Sequence, residues 1–129
     1  MKLDDGIHVD WLNEPQCIRM VWGRNVTDRD VRIAFGRIQS LLDEVGEPRC
    51  VLVDLSNMPN MPLAPTLQSA LAGPYRHPML RNWLIIESEH NRVAHLLERL
   101  LSGATRRRNV YWFTSEQEAL AFIDSEQMV

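Results

Sequence analysis

Apolar and polar residues alternate at the start of the chain. In IHVDWL, Ile7, Val9 and Trp11 alternate with His8 and Asp10, and after NEPQ the run CIRMVW sets Ile18, Met20 and Trp22 against Arg19. This period of two predicts a β-hairpin with one apolar face. The period then lengthens to 3.6, with Val31, Ala34, Phe35, Ile38, Leu41, Leu42 and Val45 on one stripe and Arg32, Arg37 and Asp43 on the watered side. Thr27 and Asp30 stand at the spacing of a capping box, while Gly46 and Pro48 mark the helix end. RCVLVDLS shows no alternation, which predicts a strand buried on both faces at the centre of a sheet.

The second half repeats a strand-helix rhythm. A proline-rich loop leads to PTLQSALAG, where Pro65 suits a first helical turn, Leu67, Ala70 and Leu71 face inward, and Gly73 closes the element. NWLIIE predicts another buried strand, and Ser88 caps a helix with Val93, Leu96, Leu97, Leu100 and Leu101 on its apolar stripe. NVYWFT predicts a last strand, and Ser115 with Glu118 caps a final helix carrying Ala119, Leu120 and Ile123. The order ββαβαβαβα predicts an α/β domain with a mixed sheet: an antiparallel hairpin, then parallel strands joined by right-handed crossovers. No repeat or linker interrupts it, so residues 1–129 read as one domain with its core at about residues 7–124.

Composition narrows the function classes. The chain has 129 residues, 45% of them hydrophobic, enough for one proper core. A formal charge of -3 and a pI near 5.8 give no electrostatic basis for binding nucleic acid. No apolar run is long enough for a transmembrane segment, and MKLDDGIHVD lacks the apolar core of a signal peptide; the expectation is a cytoplasmic protein. Cys17 and Cys50 lie inside apolar strand-like runs and read as buried thiols rather than a disulfide or metal pair. Lys2 is the only lysine, which excludes mechanisms that need an internal one.

DLSNMPNMP, residues 54–62, resembles the phosphoacceptor loop of response-regulator receivers, where an aspartate ends a buried strand shortly before Met-Pro. Here Met58 follows Asp54 by four residues instead of three, Asp4 and Asp5 precede the first strand, and Thr114 and Ser115 stand where a receiver needs lysine. Receiver chemistry depends on that cation-binding acidic pair and on the lysine, so a working receiver is not expected.

The opening hairpin, the capped helix, VLVDLS and the alternation after it resemble the STAS domain, also called SpoIIAA-like, over nearly all of residues 7–124. HPMLRNWLIIESEHNRVAHLLERLLSG and NVYWFTSEQEALAFI look like the fourth strand with third helix, and the closing strand with helix, of small bacterial STAS/SEC14-like proteins. The resemblance implies a non-catalytic regulatory or protein-interaction domain. In anti-sigma-factor antagonists of this fold, an Asp-Ser-Ser-Gly-like motif carries a phosphorylated serine. Here the region reads PLAPT, Pro62 to Thr66, with Thr66 its only hydroxyl, so no serine phosphorylation switch is expected.

Ligands of open α/β sheets lie beyond the carboxyl ends of the parallel strands. That rule selects Asp54, Ser56, Asn57, Glu87 and Ser88, with Met58 and Met61 as adaptable apolar walls and Thr66 at the start of the following helix. Thr114 and Ser115 end the last strand. No catalytic residue, cofactor or metal is expected: His90 and His95 are five apart, not four, and no serine lies in G-x-S-x-G. His77, between Arg76 and Arg81, offers either an anion site or a solvated proline-tied loop. Arg106 to Arg108 read as complementing a helix C-terminus, with phosphate or anionic lipid as the alternative. The expected partner is a protein, docking on the Asn57–Thr66 loop and the helix after it. A small molecule or lipid is the alternative, and a homodimer through the hairpin edge around Trp11 and Trp22 is compatible with either.

Overall fold

The computed structural model describes residues 6–12, 17–56, 68–69, 77–86 and 110–127. They contain β1 (Ile7–Leu12), β2 (Cys17–Trp22), α1 (Asp28–Val45), β3 (Arg49–Asp54), β4 (Leu80–Ile86), β5 (Val110–Phe113) and α2 (Glu116–Gln127). The strands form one five-stranded sheet in the order β1-β2-β3-β4-β5. β1 runs antiparallel to β2, and the other neighbours are parallel. The chain is thus an α/β protein with a mixed sheet. β4 begins at Leu80, two residues before the stretch that the apolar run NWLIIE marks. Gln68 and Ser69 are helical; the rest of the helix expected at 65–73, the one expected after Ser88, and Arg106 to Arg108 lie outside the described residues.

The ends of α1 follow from local chemistry. Thr27 Oγ1 accepts from the Asp30 N–H at 3.1 Å, and Asp30 Oδ2 accepts from the Thr27 N–H at 2.9 Å, which satisfies two backbone donors reciprocally. Gly46 ends the helix at φ 71°, a left-handed geometry that a Cβ would strain. The stripe buries Val31, Ala34, Phe35, Ile38 and Leu42 against the sheet, while Leu41 and Val45 are half-buried.

The register divides the sheet into two faces. On the α1 face, Ile18 and Met20 of β2, Val51 and Val53 of β3, and Trp83 and Ile85 of β4 form the larger core with the α1 stripe. Phe35 bridges it, edge-on to Trp22 at 6.3 Å and to Trp83 at 6.0 Å. All four tryptophans belong here, since Trp11 and Trp112 pack against the same cluster. The opposite face buries Cys17, Cys50, Leu52, Leu84 and Ile86 under Ala119 and Ile123 of α2. β3 lies third of five and packs on both faces, as its unbroken aliphatic run requires.

One expectation is corrected. Trp22 is not on the hairpin's outer edge: β2 is an inner strand, and Trp22 is 1% exposed beneath α1. Period-two patterning shows which face a residue occupies but not which strand of the hairpin ends up outermost. β1 is the edge strand, and Trp11 is the tryptophan on it.

Candidate functional site

At the carboxyl ends of the parallel strands, Val21, Asp54, Ile86 and Phe113 line up as register partners. Asp54 therefore sits between two inner strands, on the α2 face. Its Oδ1 accepts the Ser56 N–H at 2.9 Å and the Ser56 hydroxyl at 2.6 Å. This is a closed turn made by the side chain, and it directs the carboxylate back onto its own backbone. Of the expected binding residues, Asp54 and Ser56 are thus brought together. Asn57, Met58, Met61, Thr66, Glu87 and Ser88 lie outside the described residues.

After β5, the N-terminus of α2 holds a second polar knot. Ser115 Oγ accepts the Glu118 N–H at 3.3 Å, as the S-x-x-E spacing predicts. The Glu118 carboxylate, however, takes the Thr114 N–H at 3.3 Å and the Thr114 hydroxyl, with Ser115 Oγ farther off at 3.4 Å. The reciprocal arm of the box has moved back one residue. The hydrogen bonds from Thr114, partly opposed by desolvation, hold the Glu118 carboxyl below its usual range.

Arg19 ties the hairpin to α2. Its Nε and Nη2 donate to the two Asp10 oxygens at 3.2 and 3.0 Å, and Nη1 donates to Glu116 Oε1 at 3.3 Å. The hydrogen bond to Asp10 does most to raise the Arg19 pKa, with Glu116 adding to it. The Asp10 contact is readable from the hairpin register; Glu116, 97 positions away, is not. This network links the sheet edge to a helix N-terminus, where Glu116 and Glu118 also suit the helix dipole.

The opposite end of the sheet corrects the expectation for His77. It is 6% exposed and so is not a solvated loop residue. Its Nδ1 accepts the Met79 N–H at 3.0 Å, so Nε2 carries the proton and donates to Asp43 Oδ1 at 2.6 Å. Both ring nitrogens are engaged, and α1 is clamped to the start of β4. Asp43 does face water, as its helical phase predicts, but one oxygen reaches down to the imidazole.

Cys17 and Cys50 are buried thiols with no disulfide between them, and they are register partners on neighbouring strands. Burial, reinforced by the nearby Cys50 thiol, pushes the Cys17 thiol up to about 12, so it stays protonated and unreactive. Asn82, a buried polar side chain, lies 3.9 Å from Cys50 Sγ through its Nδ2. Among the described residues, no group of three or more potential ligands could hold a metal ion, and no helix is long and apolar enough to cross a membrane. The buried Trp22 Nε1 has no hydrogen-bond partner among them.

Compared with known proteins, the chain matches no family model, and no curated protein or solved structure is significantly similar to it.

Proposed function

We propose that the chain is a STAS-like, non-catalytic domain of the cytoplasm that acts by binding another protein, with residues 57–66 and the helix after them as its docking face. The observation that carries this reading is the way polar groups around the sheet are committed to the fold. Asp54 is closed onto Ser56, Glu118 onto Thr114 and Ser115, and His77 onto Asp43 and Met79. Acid-base or nucleophilic catalysis needs a group free to reach substrate. Side chains arranged in this way instead tie the ends of the strands to the helices and turns beside them. A leading antiparallel hairpin followed by parallel strands supports the STAS-like reading of the sequence.

Affinity capture with purified chain as bait tests the docking face. A variant replacing Met58, Met61 and Leu67 with serine is expected to lose the partners retained by the wild type. Equal retention by both would place the binding surface elsewhere.

A second reading is favoured by Trp22. Its indole N–H is buried at the carboxyl end of β2 without a partner among the described residues, and a buried donor left unpaired costs about 1–3 kcal/mol. A small ligand with one acceptor atom and an apolar body would match that donor and the aromatic groups of Phe35 and Trp83. Native mass spectrometry of freshly purified protein tests this second reading: an added mass supports a ligand, and the bare chain mass counts against one.

A further inference from the structure

The outer edge of β1 carries a self-complementary sequence. The hydrogen bond from Gly23 N–H to Gly6 O, at 2.8 Å and in register with the hairpin, fixes which residues face inward. In an antiparallel ladder that role alternates, so His8, Asp10 and Leu12 direct their N–H and C=O groups toward β2. Ile7, Val9 and Trp11 direct theirs outward, where no strand among the described residues pairs with them. Two devices that natural edges use against pairing, lysine and proline, are missing from Ile7–Leu12. Its one carboxylate, Asp10, is drawn inward by Arg19.

We propose that this edge pairs with the same edge of a second copy, antiparallel and centred on Val9, joining two sheets into one. This inference stands apart from the docking face at residues 57–66. Residues with outward-facing groups must pair with one another, and where at least two of the three find partners within the strand this allows two-fold axes through His8, Val9 or Asp10. An axis at His8 sets imidazole against imidazole, and one at Asp10 sets carboxylate against carboxylate. The axis at Val9 pairs His8 of each chain with Asp10 of the other, and Ile7 with Trp11. His8 and Asp10 are exposed on the α2 face, and Ile7, Val9 and Trp11 are half-buried on the α1 face, so both faces continue across the junction. The imidazole would donate to a carboxylate that Arg19 already holds in place. Like groups opposed in the two neighbouring registers act against slippage.

Sedimentation velocity and register-specific cross-linking test the pairing. Wild type is expected to be a dimer. Among backbone hydrogen-bonding groups Val9→Pro removes an outward donor and keeps the ladder to β2, so it should give a monomer with unchanged far-UV circular dichroism. Should that variant fail to fold, His8→Glu, an exposed substitution, serves instead; it opposes carboxylates at two symmetric positions and should weaken dimerisation about tenfold. His8→Cys mixed with Asp10→Cys should oxidise to a cross-linked dimer, because positions 8 and 10 of opposite chains would lie about 4.5 Å apart at Cα. Neither variant alone should do so, and the buried Cys17 and Cys50 should not compete. A wild type that is monomeric at high concentration, or a dimer that survives His8→Glu unweakened and forms no mixed cross-link, would overturn the proposal.

Discussion

Alkaline pH should destabilise this protein through Cys17, and the size of the effect can be worked out. The native thiol titrates at about 12 against an ordinary value of 9.0, because burial and the neighbouring Cys50 disfavour its charged form. The native state therefore binds the proton more tightly than the unfolded chain, and stability must fall as pH rises between those values. Below pH 9 the contribution is fully present. At about pH 10.5 the unfolded thiol is almost wholly ionised and the native one is not, which costs about 2 kcal/mol. Urea unfolding of wild type and Cys17→Ala, at neutral pH and at about pH 10.5, isolates the effect. Lys2, the two tyrosines and Cys50 titrate in the same range, but they are present in both proteins compared, so the difference between them reports Cys17. The alanine variant should start about 1 kcal/mol less stable, for its small cavity, and then lose about 2 kcal/mol less than wild type on alkalinisation. Equal losses in the two proteins would show that Cys17 ionises as easily in the native state as in the unfolded one, and the burial argument would fail.

Other consequences are equally direct. His77→Ala breaks the Asp43 contact and strands the Met79 N–H, so urea midpoints should report a loss of about 2 kcal/mol, against under about 1 for Asp43→Asn, which keeps an acceptor. Thr27→Ala and Ser115→Ala each uncap a helix and should cost about 1 kcal/mol by thermal or urea unfolding. Radiolabelled acetyl phosphate with magnesium should leave Asp54 unlabelled, because its Oδ1 is occupied by Ser56 and no lysine follows Lys2. Labelling that Asp54→Asn abolishes would revive the receiver resemblance.

Periodicity carried much of the described architecture. Alternation in IHVDWL and CIRMVW located the hairpin, the Thr27 box and Gly46 bounded α1, and the unbroken VLVD marked an inner strand, because each signal resides within a few neighbouring residues. What failed were properties set by distant partners. His77 looks solvated beside two arginines and two prolines, yet its environment is decided by Asp43, 34 positions upstream. Cys17 and Cys50 looked unrelated until parallel pairing brought them into register. Of the candidate site, the strand-end rule found Asp54 and Ser56, but nothing in their types announces that each would satisfy the other. The Ser115–Glu118 spacing located the cap at the correct helix end, but the return arm of Glu118 goes to Thr114, a shift of one residue that spacing cannot resolve.

The placement of every tryptophan on the α1 face makes the molecule optically one-sided. Indole emission will follow the separation of α1 from the hairpin and β4, and Trp22 and Trp83, on either side of Phe35, will report that event together. Among the described residues, the aromatic group of the α2 layer is Tyr111, Phe113 and Phe122, and their signal is weak beside four indoles. Loosening of α2 would lower helical dichroism while leaving indole fluorescence nearly unchanged. Two probes that fail to coincide would in this protein identify which layer has opened.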